Sequence, residues 1–198
     1  LEQWRKTHPN IAEGEAVLRC AYLGGKTGVR TYVVHQSSKE SMEVLSKAKH
    51  ERFYVETTSP YLTRDTSSKV GAYGKMLPPF REPESRLALW DGIRKGLINT
   101  IGTDNVTMTS AEKKIPQGMA GADAGYPALG THLVSVLNEG FFRQEIPLEK
   151  LVPLITMNPA KIFGVYPKKG TLLPGADADI VIVDMEMVRR ADPETLQS

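Results

Sequence analysis

The residues best suited to chemistry sit just behind short apolar runs. His35 closes the run RTYVVH at residues 30–35, Glu56 with Thr57 closes RFYVET at 52–57, and Asp104 closes LINTIGTD at 97–104. A neutral imidazole suits Zn²⁺ as a borderline-soft ligand, and a carboxylate can hold a metal or carry a proton. Each also has a plainer reading. His35 could be satisfied by local hydrogen bonds, Asp104 could cap the loop after Gly102-Thr103, and Glu56 could orient a metal-bound histidine or bond neighbouring backbone. His8, His50 and His132 lack such a setting and read as surface or core-rim residues. Four histidines and one cysteine, with no CxxC or HxxxH pair, leave little for a self-contained zinc site. Any metal would draw ligands from elsewhere. Arg81 could face a ligand, with a salt bridge to Glu82 or Glu84 as the plainer reading. The Lys168-Lys169-Gly170 turn reads as a solvated hairpin entry rather than a phosphate site, since no helix follows the glycine.

The elements that must position these groups follow an α/β pattern. Residues 12–25 read as a helix with Ala16, Leu18, Cys20 and Leu23 apolar and Gly24-Gly25 at its end. After the first β-branched run, Ser37 and Glu40 have capping-box spacing, and Met42, Val44, Leu45 and Ala48 give a second helix its apolar face. A third helix is expected over 84–95, leading through Gly96 into the last run. Near-continuous apolar strands separated by helices describe a parallel sheet, in which functional side chains gather at the carboxyl ends of the strands. Residues 105–125 have no sustained period and read as a long loop at that same end. Helical segments are expected at 126–139, at 148–157 and in a short stretch capped by Asn158 and opened by Pro159, and a separate strand at Ile180–Val183.

Composition sets the bounds. The 198 residues are 40% hydrophobic and 24% charged, which is ordinary for a globular protein. A net charge of +2 from scattered basic residues argues against nucleic acid or an anionic membrane as partner. No signal peptide is evident at residues 1–15, and no apolar stretch approaches about 18 residues. The single Cys20 forbids an internal disulfide and fits a reducing compartment, hence a cytoplasmic location. Three parallel strands would leave an open edge and an unclosed core, so the chain reads as a piece of a larger protein.

Taken in order, RTYVVHQSS at 30–38, ETTSPYL at 56–62, KMLPPFR at 75–81, LWDGIRKGLINTIGTDN at 89–105, KKIPQG at 113–118, NPAKIFG at 158–164 and KKGTLLPGADADIVIVD at 168–184 resemble the C-terminal half of cyclic amidohydrolases. The nearest likeness is to the dihydropyrimidinase and hydantoinase branch, with dihydroorotase and allantoinase as cousins. The resemblance implies an α/β fold: part of a (β/α)8 TIM barrel, strands six to eight with their helices over residues 1–165, and part of a small flanking β-sandwich over 166–198. The three strands should then be adjacent and parallel. It implies that His35 and Asp104 bind a binuclear zinc centre whose HxH pair, bridging carboxylated lysine and further histidine precede residue 1. Asp104 would also be catalytic, moving a proton from zinc-activated hydroxide chemistry to the leaving nitrogen of a cyclic ureide.

Three departures from the family pattern concern substrate. Asn105 follows Asp104 where many relatives have histidine, Leu77 stands where hydantoinases often have serine, and Gln117 stands where asparagine is usual. The resemblance gives Leu77 and Gln117 a substrate-binding role through backbone atoms, which side-chain changes would leave intact. Leu77 and Asn105 together point away from dihydroorotase. The partners implied are a small cyclic amide and further copies of the chain, in a dimer or tetramer. A non-catalytic scaffold of the same fold is the competing reading, which retention of both His35 and Asp104 opposes. A chain inactive as it stands fits either, and the isolated 198 residues are expected neither to bind zinc tightly nor to hydrolyse dihydrouracil or hydantoin.

Overall fold

A computed structural model describes residues 2–190 and 192. A short helix α1 (Glu2–Lys6) precedes α2 (Asn10–Thr27), followed by strand β1 (Thr31–Val33), helix α3 (Lys39–Ala48) and strand β2 (Phe53–Thr58). Helix α4 (Ser59–Thr63), helix α5 (Pro83–Arg94) and strand β3 (Thr100–Gly102) come next. Short helical pieces follow up to residue 162: α6 (Gly118–Gly121), α7 (His132–Val136) continuing as a π-helical stretch at Leu137–Arg143, α8 (Leu148–Leu151) and α9 (Met157–Ile162). The three strands form one sheet in the order β1-β2-β3. Both pairings are parallel, with Thr31 opposite Phe53 and Glu56 opposite Thr100. This is the arrangement expected from the sequence.

The strands are less uniformly apolar than expected. Phe53 and Val55 are buried, whereas Tyr54 and Glu56, which alternate with them, are only partly so. The alternation gives the sheet one apolar and one polar face. The apolar face packs on Val17 and Ala21 of α2, Met42 and Leu45 of α3, and Leu89, Trp90 and Ile93 of α5. Trp90 is fully buried and its indole N–H donates to the Leu62 carbonyl at 3.0 Å, so the largest core side chain is also hydrogen-bonded.

Helix α2 turns a different stripe inward from the one its sequence suggests. Gly14, Val17, Ala21 and Gly24 are buried, while Ala16, Leu18, Cys20 and Leu23 are exposed. Small residues let α2 lie close to its neighbours: a Cβ at Gly24 would meet Thr31 Oγ1 at 2.7 Å. Gly24 and Gly25 therefore lie inside the helix, which ends at Gly28 in the left-handed conformation. The cap of α3 is Ser38, not Ser37, and its side chain accepts from the Ser41 N–H at 3.2 Å. Ser37 is drawn away by a partner on α2. The Asn158 side chain does not cap a helix either. It lies within α9 and donates to the Asn99 carbonyl at 2.9 Å.

The expected strand at Ile180–Val183 is not formed. Its four residues are 63%, 71%, 93% and 43% exposed and join no ladder. A strand is stable only where a neighbour takes up its backbone hydrogen bonds, and no described segment lies alongside to do so. Residues 168–170 likewise do not enter a hairpin. Lys169 instead pairs with Asp177 at 2.9 Å and with Asp179.

Candidate metal and active site

His35 lies two residues beyond the end of β1, on a backbone in the left-handed region at φ 45°. The flanking chain is held from both sides. The Gln36 N–H donates to the Glu56 carbonyl at 2.8 Å, the Thr57 hydroxyl donates to the Gln36 carbonyl at 2.7 Å, and Ser37 and Ser38 are bound by Glu13 of α2. The His35 Nδ1 is buried with no hydrogen-bond partner. Leaving a buried polar nitrogen unpaired costs about 1–3 kcal/mol, which a ligand to the imidazole would recover. Leu77 shares a cleft of about 380 Å³ with His35, Glu13, Pro78 and Arg81, so these two sequence-derived candidates meet.

Asp104 lies just beyond β3, exposed, and is also in the left-handed region at φ 48°. No described residue hydrogen-bonds its carboxylate. The chain immediately behind it is anchored by Asn105. The Asn105 side-chain carbonyl accepts from the N–H groups of Ala128 at 2.8 Å and Leu129 at 2.9 Å, and its backbone bridges to Tyr126. Asn105, singled out in the sequence as a departure from a pattern, closes the base of the long loop.

Below Asp104 on the polar face of the sheet, the Tyr32 hydroxyl lies 2.7 Å from both the Glu56 carboxylate and the Thr100 hydroxyl. Burial, with the Glu56 carboxylate adding to it, pushes the Tyr32 hydroxyl above its ordinary range. Tyr32 therefore remains a donor to Glu56. A Cβ at Gly102 would meet Glu56 Oε2 at 2.8 Å, so only glycine lets that carboxylate lie across β3. Glu56 thus takes its hydrogen bond from a side chain rather than from neighbouring backbone.

Gln117 occupies an exposed turn at Ile115–Gln117, packed over Gly121 and outside the lining of the His35 cleft. Its loop is nevertheless tied to the Leu77 segment. Lys113 is buried and its ammonium donates to the carbonyls of Lys75 at 2.9 Å, Asp123 at 3.1 Å and Gly125. Burial, and then the Lys75 ammonium, lower the Lys113 pKa. Lys75 in turn donates to the Ala120 carbonyl at 3.2 Å. Arg81 is buried too, but its ion pair is with Glu13 at 3.3 Å and not with Glu82 or Glu84. His132 donates to or accepts from Ser59 at 3.0 Å, and burial lowers its pKa. It is a core-rim histidine, as read from the sequence.

Glu13, which is the ion-pair partner of Arg81, and Lys113 escaped the sequence reading. Their contacts span 24 to 68 residues for Glu13 and 38 for the Lys113 bond to Lys75, so no local spacing marks them. Among the described residues no cluster of three or more His, Cys, Asp or Glu side chains forms. His35 and Asp104 are one nitrogen and one oxygen donor at the ends of strands separated only by β2, a set that fits part of a metal centre but not the whole. No helix of the described residues is long and apolar enough to cross a membrane.

Known proteins place this arrangement. The chain is 34% identical to an L-hydantoinase of Paenarthrobacter aurescens over 204 residues, which covers 100% of the chain and 44% of the hydantoinase. It is 36% identical to a dihydroorotase of Bacillus caldolyticus over 96% of the chain and 44% of that enzyme, so dihydroorotases stand beside hydantoinases among its relatives. Its structure superposes on a D-hydantoinase from Bacillus sp. AR9 with a TM-score of 0.89 at 31% identity, over 95% of the chain and 43% of that protein. The chain thus spans a little under half the length of these relatives. The model of the amidohydrolase family matches residues 18–197, and the chain belongs to that family.

Proposed function

We propose that this chain is the part of a cyclic amidohydrolase that carries barrel strands six to eight as β1, β2 and β3 over residues 1–165, with 166–198 contributing to a flanking β-sandwich. The enzyme opens the amide bond of a cyclic ureide of the dihydropyrimidine or hydantoin type. The carrying observation is that His35 and Asp104 stand at the carboxyl ends of a parallel sheet, each on a left-handed backbone. Strained conformations of non-glycine residues cluster where a site needs a side chain aimed. Two strand spacings separate them by about 10 Å, and two side chains reaching inward can serve metals about 3.5–4 Å apart.

His35 and Asp104 would hold zinc, with the remaining ligands, a carboxylated lysine included, from outside residues 1–198. A bound zinc pair supplies a Lewis acid for the ring carbonyl and lowers the pKa of water. The Asp104 carboxylate, unbonded by any described residue, accepts the proton of the attacking water and returns it to the ring nitrogen as the amide bond breaks. Leu77 and Gln117 lie on the two segments stapled by Lys113, and their backbone groups hold the ring's amides. Isolated residues 1–198 neither bind zinc tightly nor turn over ureides, because two ligands cannot complete a site that needs three plus water. The complete protein is a cytoplasmic homo-oligomer, a dimer or tetramer, whose mass in solution tests that assembly. Dihydroorotate is the second substrate reading, favoured by the 36% identity to a dihydroorotase.

The test compares two variants in the complete protein. Asp104→Asn keeps the shape but removes the proton carrier, so turnover should fall about 10²- to 10⁴-fold with one metal largely kept. His35→Ala should lose zinc and activity together, with partial recovery at high metal. Turnover of Asp104→Asn within about threefold of the parent, well under 1 kcal/mol of barrier, removes the catalytic assignment. Assaying dihydrouracil, hydantoin and dihydroorotate side by side separates the two substrate readings.

A further inference from the structure

We propose that Glu13, clamped by Arg81, is the positioning residue that sets the His35 imidazole for its metal, an inference that rests on the ligand role proposed for His35. Glu13 enters from the first turn of α2. Its Oε1 accepts from the backbone N–H of Ser37 at 2.9 Å, the N–H of Ser38 at 2.8 Å and the Ser38 hydroxyl at 2.9 Å. Its Oε2 accepts from the Ser37 hydroxyl at 2.5 Å and from Arg81 Nη2 at 3.3 Å. Arg81 completes the clamp by donating from Nε to the Ser37 hydroxyl at 3.0 Å and from Nη1 to the His8 carbonyl. The side chains of Arg81 and Glu13 are only 4% and 10% exposed.

A carboxylate that binds two consecutive backbone N–H groups fixes the peptide planes between them. Here those planes begin two residues after His35, and Gln36 is already fixed to β2 through Glu56 and Thr57. His35 is left no freedom to relax out of its positive φ, which persists only when its surroundings over-determine it. The same clamp explains why a buried, unpartnered Nδ1 is tolerated at His35: the ring is held by its backbone rather than by a hydrogen bond of its own. Glu13 and Arg81 also line the cleft into which His35 opens. A carboxylate needed only to neutralise Arg81 would not have to bind both N–H groups of the following turn.

The experiment uses the complete protein with Zn²⁺ as the probe. Zinc affinity is measured by competition with a chelator, the His35 ring nitrogens are followed by NMR in the metal-free protein, and thermal stability is recorded in parallel. Glu13→Gln preserves volume but turns a donor toward donors. Ser37→Ala is the milder variant, removing only the hydroxyl between Glu13 and Arg81. Both should weaken zinc binding, Glu13→Gln by about 10- to 100-fold as for partners that orient metal ligands, and both should shift the His35 ring resonances. In the His35→Ala background neither should weaken zinc further. An equal loss in both backgrounds would make Glu13 a general structural residue and overturn the proposal. Native affinity and unmoved ring resonances in Ser37→Ala would overturn it as well, even if Glu13→Gln failed to fold. If His35→Ala itself kept native zinc affinity, the ligand role would fail instead, and the ring resonances of the metal-free variants would still report whether Glu13 sets the imidazole.

Discussion

The sheet region and the segment that follows it carry similar runs of apolar residues and end in opposite states. Phe53 and Val55 are 1% and 0% exposed, whereas Ile182, in a run β-branched at every position, is 93% exposed. The sequence of each run favours a strand, yet only the first has a neighbour on each side, β1 and β3, to receive its backbone hydrogen bonds. Strand propensity is a statement about surroundings as much as about residues. The β1-β2-β3 unit brings its own surroundings, in the helices packed on its apolar face. Residues 171–190 hold local turns, the Lys169 ion pairs to Asp177 and Asp179, and one side chain, Met185, packed against the core.

The sharpest way to break this contrast is to truncate each region at its centre. Trp90→Ala should cost about 3–5 kcal/mol in urea unfolding, since it empties the core beneath the sheet and orphans the Leu62 carbonyl. A loss below 1 kcal/mol would mean that the sheet region is not the stable unit of the chain. Lys113→Met comes next. It removes three hydrogen bonds to backbone carbonyls, two of them buried, while keeping the aliphatic stem, so about 1–3 kcal/mol should be lost. Amide exchange should speed up in residues 111–125 and 75–79 but not in β1 to β3. Uniform acceleration would show that the staple is part of the core rather than of the loops.

A pH titration refines the comparison with a smaller effect. Lys49 lies beside β2, donating to the Gly96 carbonyl at 3.1 Å, the Leu97 carbonyl at 2.7 Å and Asn99 Oδ1 at 3.0 Å, and burial lowers its pKa to about 8. The unfolded chain keeps that proton up to about 10.4. Below pH 8 both states are charged and the folded one bears the cost of burial. Between about pH 8 and 10.4 the folded state alone releases the proton, so the Lys49 contribution to stability rises with pH over that window. Subtracting the profile of Lys49→Met from that of the parent isolates the rise, and a flat difference would contradict the lowered pKa. At the small end, Ile182→Ala should change stability by less than about 0.5 kcal/mol, the range of ordinary surface substitutions. A larger loss would show that residues 180–183 are packed in solution.

What the sequence disclosed follows the same division. The three strands and the helices between them were legible because apolar periodicity and punctuation are local signals. That His35 and Asp104 come to one end of the sheet was legible, because a parallel sheet puts strand ends together, whereas the metal and catalytic roles came only with the family resemblance. The cap of α3 was misplaced by one residue because Ser37 is taken by Glu13, and nothing in the SSKE run shows a partner on another helix. The buried stripe of α2 was misread because close packing selects Gly14, Val17, Ala21 and Gly24 over its larger apolar residues. The strand at Ile180–Val183 was expected from its composition, and composition does not reveal whether a neighbour is present.

Among the described residues, four that are not glycine adopt a left-handed backbone: His35, Asp104, Lys114 and Glu145. Histidine and aspartate visit that region more readily than most residues, but glycine enters it with no penalty from a Cβ. A laboratory population evolved for heat resistance alone would therefore gain about 1 kcal/mol by drifting to glycine at positions 35 and 104. Selection that also demands turnover would hold both residues in place. Sequencing the survivors of the two regimes would turn backbone geometry into a readable record of which positions the chemistry defends.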